Sequence, residues 1–222
     1  MSDQLKRQAA LHALDEIRDG MIVGLGTGST AAHFIRELGR VRLQVAGIPT
    51  SEESRRLAEE TGIRLTSFEE NPRVDVTVDG ADEVSPQLDL LKGLGAALVR
   101  EKIVAQASER VVIIVDESKL VDRLGQKNVI PIEVIPFAVP RVLLLLRELG
   151  GAARVRQRDG RSFVSDNGNS IVDWNHGMID DPAKLEKQLK SLTGVVDSGI
   201  FANVAHCVIV AGSQGVRKLQ RA

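Results

Sequence analysis

Residues near one face recur at helical spacing at Leu5, Ala9, Leu11 (or His12), Leu14 and Ile17, which predicts an amphipathic helix over residues 3–19. Gly20 reads as its stop. Met21-Ile-Val-Gly-Leu25 reads as a short buried strand. The turn Gly24-Leu-Gly-Thr-Gly-Ser-Thr30 follows, with Ser29 or Thr30 capping a helix that runs to about Leu38 and ends at Gly39. Leu43 to Ile48 is a second strand. Thr50-Ser-Glu-Glu53 has capping-box spacing before a helix to about Thr61, which Gly62 closes. Val74, Val76 and Val78 alternate with Asp75, Thr77 and Asp79, a strand pattern. A helix is expected from after Gly95 to about Ser108, then a fully apolar strand at Val111-Val-Ile-Ile-Val115.

Regular alternation of strand and helix predicts right-handed βαβ crossovers, hence an α/β fold with a Rossmann-like, doubly wound, mostly parallel sheet. The pattern changes near Asn128. Strands are expected at Val129–Val134, Ala152–Arg158, Ser162–Val164, Ser170–Trp174 and Gly194–Ile200, with helices at Val139–Leu149 and about 182–192. Asp159-Gly160 and Asn167-Gly168 supply hairpin turns. This order suits a smaller α+β domain of ferredoxin-like, split-βαβ type. Cys207–Ala211 is apolar again and is expected to return to the first sheet. The small domain, residues 128–202, is then an insertion, and residues 1–127 with 203–222 form the large one.

Composition narrows the function classes. The chain has 222 residues, 43% apolar and 27% charged, which suits a globular protein with a sizeable core. The net charge is −1, and no Lys/Arg block is long enough for a nucleic-acid stripe. Aromatic residues make up 3%, too few for single-strand stacking platforms. Cys207 is the only cysteine, which excludes a disulfide within the chain and suits a reducing, cytoplasmic setting. The polar start Met1-Ser-Asp-Gln-Leu-Lys-Arg7 does not read as a signal peptide. The most apolar region, Val129 to Leu146, carries Glu133, Arg141 and three prolines and does not read as a membrane span.

Three stretches carry candidate chemistry, and all fall at carboxyl ends of expected strands, where ligands bind in such sheets. Gly24, Gly26 and Gly28 resemble a dinucleotide fingerprint, but Ser29 stands where the third glycine belongs. No acid closes the following strand, and no Gly-Lys-Ser/Thr is present for a Walker loop. Thr27-Gly28-Ser29-Thr30 instead offers hydroxyls and N–H groups at a helix N-terminus, which suits a lone phosphate. Asp79-Gly80-Ala81-Asp82-Glu83 crowds three acids, and such crowding favours proton exchange near neutral pH. Asp79 and Asp82 read as functional, Glu83 as a solvated carboxylate. Lys92, before Gly93-Leu94-Gly95, can hold a phosphate or an oxyanion, although local composition alone reads it as an exposed lysine. Glu101, about two turns into the next helix, and Lys119 carry no local mark of a role. The histidines at 12, 33, 176 and 206 lack metal-ligand spacing, so no metal is expected. No Gly-x-Ser-x-Gly elbow supports serine hydrolysis. Cys207, Trp174 and the Asp166–Asn169 turn read as structure.

Taken in order, these stretches resemble the ribose-5-phosphate isomerase type A family. The resemblance extends to Asp116–Lys119, Pro131–Pro136, Ser165–Asn169, Gly194–Val196 and Gly199–Ala202, nearly the whole chain. It implies a phosphorylated pentose as ligand, no metal or organic cofactor, and a homodimer or homotetramer in the non-oxidative pentose phosphate pathway. It also implies that Thr27, Gly28, Ser29 and Thr30 line the substrate site. Asp79, Gly80, Ala81, Asp82, Lys92, Gly93, Leu94, Gly95 and Lys119 would bind substrate, and Lys6 would face the phosphate. Glu101 matches the family's proton acceptor, with Asp79, Asp82 and Lys92 beside it as catalytic groups. The family loop is usually Lys-Gly-Gly-Gly, and Leu94 departs from it. Leucine is strained there if the backbone needs a positive φ, and acceptable if the site needs only its N–H. Two rivals are a CoA transferase using Glu101 as nucleophile and a phosphosugar-sensing module. The second wants an attached DNA-binding region, for which the near-neutral chain offers no candidate.

Overall fold

The computed structural model describes residues 2–221; Met1 and Ala222, the ends of the large domain as drawn from sequence, lie outside the described residues. The chain divides into two compact units. One comprises the chain up to Ala81, Arg100–Lys119 and the chain from Val204; the other comprises Asp82–Val99 and Leu120–Asn203.

The first unit is built on a seven-stranded sheet. Its spatial order is Arg64–Leu65, Ala46–Pro49, Ile22–Leu25, Val74–Asp79, Ser108–Asp116, Cys207–Gly212 and Gly215–Gln220. Neighbours are parallel except the last pair, which is antiparallel. Chain order reverses between Ile22–Leu25 and Val74–Asp79, with Leu25 beside Val78. Such a switch point opens a crevice at the carboxyl ends of the strands. Central strands are apolar on both faces, and Val111 to Asp116 are all buried. Ala9, Ala10, Phe34, Ile35 and Leu38 from two helices pack with Val23, Leu25, Val76, Val112 and Ile114. Each buried large aliphatic or aromatic side chain there stabilises the unit by about 1.5–3 kcal/mol.

Local signals place these elements well, with shifted ends. The first helix is Ser2–Ala13, followed by a 3-10 turn at Leu14–Glu16. Gly39 does not end its helix, which runs Ser29–Val41 and stops at left-handed Arg42. A side chain at Gly39 would stand 2.7 Å from the Thr61 backbone oxygen, so that glycine serves close approach. The capping box forms one residue later than its spacing suggests, on Ser51 and Ser54. Thr50 is committed elsewhere, its hydroxyl donating to Leu25 O at 3.0 Å. The half-exposed edge strand Gly215–Gln220 has no strong local signal and forms against Cys207–Gly212.

The second unit carries a four-stranded antiparallel sheet in the order Val195–Ser198, Ile130–Val134, Ser170–Asn175, Ala152–Val155. With helices Val139–Glu148 and Pro182–Lys190 this is a ferredoxin-like βαββαβ arrangement. Trp174 is fully buried in its core, and its indole N–H donates to Gly150 O at 2.8 Å. Asp159 and Gly160 both take positive φ, as a primed hairpin turn requires. The 165–169 turn is tied down by Glu133, whose Oε1 accepts from Ser165 Oγ, Asn167 Nδ2 and Asn169 Nδ2.

The boundaries differ from those drawn on the sequence. Asp82–Val99 and residues 120–127 pack with the second unit, which ends at Asn203. One cause is Glu83, which is fully buried rather than solvated. Its carboxylate accepts from the N–H groups of Gly125, Lys127 and Asn128 at 2.6–2.8 Å, and from the Asn128 side chain at 3.0 Å. A buried carboxylate is tolerated only with such partners, and here they bind residues 83 and 125–128 together. A small sheet of Glu83–Val84, Leu90–Leu91 and Ile200–Phe201 completes the attachment.

Candidate active site

In the first unit the switch point is closed by backbone contact. Gly26 N–H donates to Val78 O at 3.0 Å. A Cβ on Gly26 would lie 2.2 Å from Asp79 Oδ1 and 2.5 Å from Asp79 Cα, so only glycine fits. Asp79 is buried, and its Oδ1 accepts from Thr27 N–H at 3.0 Å and from Gly80 N–H at 2.7 Å. The carboxylate singled out for chemistry therefore also fastens the glycine loop, with Ala81 continuing the turn beyond it. Thr27 Oγ1 lies 2.7 Å from Thr50 Oγ1 and 2.8 Å from Ser51 Oγ. The capping-box spacing at Thr50–Glu53 does not signal this contact, which is found only by folding.

Gly28 (φ 95°) precedes the Ser29–Val41 helix and makes no side-chain cap. The helix's opening N–H groups at Ser29, Thr30 and Ala31 have no intrahelical acceptor, which is the geometry of an anion site. Lys6 Nζ donates to Ser29 Oγ at 3.0 Å, so the structure brings this lysine to the loop. His33 Nε2 lies 2.9 Å from Asp3 Oδ1, and that hydrogen bond holds the Asp3 carboxyl below its usual range.

Glu101 lies in the first turn of helix Leu98–Gln106, not two turns in. The helix starts late because Ala96 takes a positive φ of 65°. An acid in the first turn meets the positive end of the helix dipole, which suits a group acting as a carboxylate. Glu101 and Lys102 are both buried, at 5% and 3% exposure. Arg100 reaches Glu52 Oε1 at 3.1 Å, at the start of helix Glu52–Glu60. Hydrogen bonds from Arg55 and then Arg100 hold the Glu52 carboxyl below its ordinary value. Lys119 ends a 3-10 turn, Glu117–Lys119, directly after the Ser108–Asp116 strand, and is half-buried. Cys207 is buried, and burial pushes its thiol up, as suits core packing.

In the second unit, Lys92 is buried at 3% exposure, contrary to its local reading as an exposed lysine. Its N–H donates to Gly199 O at 2.8 Å, and its Nζ lies 5.6 Å from the Phe201 ring centre. Gly93 takes φ 95°, and its carbonyl accepts from Ala96 N–H at 2.9 Å, closing a turn. Leu94 is not among the residues with positive φ, so leucine is unstrained there and its side chain is 41% exposed. What the loop uses is the Leu94 peptide: its N–H donates to Asp82 Oδ2 at 3.0 Å. Arg156 Nη1 donates to Gly93 O at 3.1 Å and to Leu94 O at 2.9 Å. Nothing in the sequence around Arg156 signals this contact.

Among the described residues no group of three or more His, Cys, Asp or Glu side chains is placed to hold a metal ion. Among them, too, no helix is long and apolar enough to cross a membrane. A family model described as ribose 5-phosphate isomerase A (phosphoriboisomerase A) matches residues 46–215. The chain belongs to the ribose 5-phosphate isomerase A family. Ribose-5-phosphate isomerase A of Methanothermobacter thermautotrophicus is 51% identical, with 97% of each chain covered. That of Rhodopseudomonas palustris (strain HaA2) is 49% identical over 99% of each. Among solved structures, a D-ribose-5-phosphate isomerase in complex with phospho-erythronic acid superposes with a TM-score of 0.97 at 43% identity, each chain fully covered. The ribose 5-phosphate isomerase A of Methanocaldococcus jannaschii gives 0.93 at 45% identity over 98% of each chain. Against the ribose-5-phosphate isomerase A family, the doubly wound sheet with its inserted α+β unit is therefore the expected fold.

Proposed function

We propose that this chain interconverts D-ribose 5-phosphate and D-ribulose 5-phosphate through an enediolate, with Glu101 as the general base and without a metal. Family membership supports the aldose–ketose isomerase activity. The observation that carries the mechanism is the buried Glu101 carboxylate on the first turn of its helix, following the lysine–glycine loop in the chain.

The C2 proton of the open aldose lies beside a carbonyl and is acidified by it. Glu101 takes that proton and the electrons move to the carbonyl oxygen O1; the same carboxyl then returns the proton at C1 while the O2 hydroxyl proton passes to O1, leaving the ketone at C2. General-base catalysis of this kind contributes about 10²–10⁴-fold. Negative charge grows on the substrate oxygen, and the Lys92 ammonium with the N–H groups of Gly93 and Gly95 balances it, the Leu94 N–H being held by Asp82. Asp79 or Asp82 moves the hydroxyl proton between O2 and O1 and assists ring opening. Each keeps a fixed orientation because one of its oxygens accepts a loop N–H. The phosphate sits on the Ser29 and Thr30 end of its helix with Lys6 beside it, and Lys119 is a further substrate contact. Remote binding at the phosphate fixes C1 and C2 against the base. The enzyme works as a homodimer or homotetramer in the cytoplasm, in the non-oxidative pentose phosphate pathway.

Incubating chelator-treated protein with ribose 5-phosphate in deuterated water tests this directly. Ketose should form with deuterium at the exchanged carbon. Glu101→Gln should lower kcat by at least about 10³-fold while the sugar phosphate still binds. No ketose, or near-normal turnover in Glu101→Gln, would refute the reading. A thioester trapped on Glu101 would favour the CoA-transferase alternative.

A further inference from the structure

We infer that Arg156, held by Asp173, is a positioning residue that aims the backbone of the Lys92–Gly95 loop; this rests on the proposed role of that loop in balancing the enediolate. Arg156 follows the Ala152–Val155 edge strand of the four-stranded sheet. Its own backbone is fixed on both sides. The Arg156 N–H donates to Ile171 O at 2.8 Å, and its carbonyl accepts from Phe163 N–H at 2.9 Å. Its guanidinium meets Asp173 in a two-pronged pair, Nε to Oδ2 at 3.0 Å and Nη2 to Oδ1 at 2.5 Å. Both side chains are largely shielded, at 14% and 11% exposure. Nη1 remains for the loop and bridges the carbonyls of Gly93 and Leu94.

Those two contacts decide the direction of two peptide planes. The peptide joining Gly93 to Leu94 has its carbonyl on Arg156 and on Ala96 N–H, and its N–H on Asp82. The peptide joining Leu94 to Gly95 has its carbonyl on Arg156. All described peptide bonds are trans, so the Gly95 N–H lies in that plane and points opposite to the bound carbonyl. A cation on the carbonyl end also polarises the peptide and strengthens its N–H as a donor. Arg156 therefore orients and strengthens the Gly95 N–H without touching substrate. A guanidinium suits this task because it grips a carboxylate with one edge and two carbonyls with another corner, and a lysine ammonium cannot match that fork.

The test uses the full chain with ribose 5-phosphate, comparing Arg156→Ala, Arg156→Lys and Asp173→Asn with the unaltered protein. Arg156→Ala should lose about 10²-fold in kcat, the cost typical of a misplaced reacting group, with KM held within about threefold. Added guanidinium chloride at low millimolar concentration should restore part of that kcat, and added ammonium should not. Arg156→Lys retains the charge and stem, so it remains folded, and should still lose at least about tenfold in kcat because it cannot bridge both carbonyls. Asp173→Asn should fall between it and the unaltered protein. Full kcat in Arg156→Lys overturns the proposal, as does a loss in Arg156→Ala that follows the folded fraction by circular dichroism and ignores guanidinium. An unaltered protein that fails to isomerise ribose 5-phosphate would instead overturn the functional reading itself.

Discussion

Two glycine-rich loops, Gly24–Thr30 and Lys92–Gly95, each precede a helix, yet they are held by different means. The first is shaped by its nearest neighbour in the sheet. Gly26 bonds to Val78 O, and the Asp79 side chain that closes the next strand fastens Thr27. The second hangs from two side chains that do not belong to an adjoining strand of its own sheet. Asp82 takes the Leu94 N–H, and Arg156, 62 residues further along, takes its carbonyl. A run of glycines thus marks where the backbone must bend or approach closely, and leaves open what holds it there.

The sharpest way to break the first loop is Gly26→Ala. Its new methyl would meet Asp79 Oδ1 at 2.2 Å and Asp79 Cα at 2.5 Å, and the Cα, being backbone, cannot yield as a flexible side-chain tip can. We expect a stability loss of about 1–3 kcal/mol in urea unfolding, from overpacking. We also expect kcat/KM to fall more than about 10²-fold as Asp79 is displaced. A variant with ordinary stability and turnover would show that the contact is dispensable. For the second loop, Lys92→Ala should lower kcat by about 10²-fold with a smaller change in KM, as expected for charge balanced only in the transition state. If KM alone rises, the lysine merely binds.

Removing the hydroxyls of the first loop should be milder. The Ser29→Ala, Thr30→Ala double variant keeps the helix N–H groups, so KM for ribose 5-phosphate should rise about tenfold while kcat is retained. Unchanged KM would remove the loop from phosphate binding. Leu94→Gly sharpens the comparison from the opposite side. The loop uses this residue's peptide, so kcat should stay within about threefold, while unfolded-state entropy costs up to about 1 kcal/mol. A tenfold change in kcat would show that the leucine side chain itself shapes the site.

The smallest effect concerns Arg100, beside Glu101. Glu52 sits below its ordinary value of 4.5, first through Arg55 and then through Arg100. A lowered carboxylate contributes stability that is present above its unfolded value and is lost as pH falls through the folded one. Melting temperatures of the unaltered protein and Arg100→Gln should therefore differ slightly at neutral pH and converge as pH falls below 4.5 through the lowered folded value of Glu52. The pair is partly exposed, so the difference is small. Parallel melting profiles down to pH 3 would contradict the link.

Much of this was legible in the chain. Alternating Val74–Asp79, apolar Val111–Val115 and the glycine stops disclosed the parallel sheet, because burial on both faces and turn geometry write themselves into local residue types. The glycine turns of the three candidate stretches were legible for the same reason. Glu83 and Lys92 were misread on local grounds, since an acid or a lysine looks alike whether solvated or buried. Only the donors at residues 125–128 reveal that Glu83 is an anchor. The contacts of Thr50 and Ser51 with Thr27, and of Arg156 with the Gly93 and Leu94 carbonyls, carried no signal because those partners are remote in the chain.

By itself, then, the amino-acid order determined the element types, the glycines at Gly26 and Gly93, and which side chains were available for proton transfer. Periodicity and backbone sterics act between near neighbours, and a linear text records them. Tertiary structure alone decided that Glu101 opens its helix in a buried position, that Lys6 meets Ser29, and that Arg156 grips the Leu94 peptide. Those outcomes depend on distances across the fold, where desolvation and hydrogen-bond geometry select partners that no local pattern names.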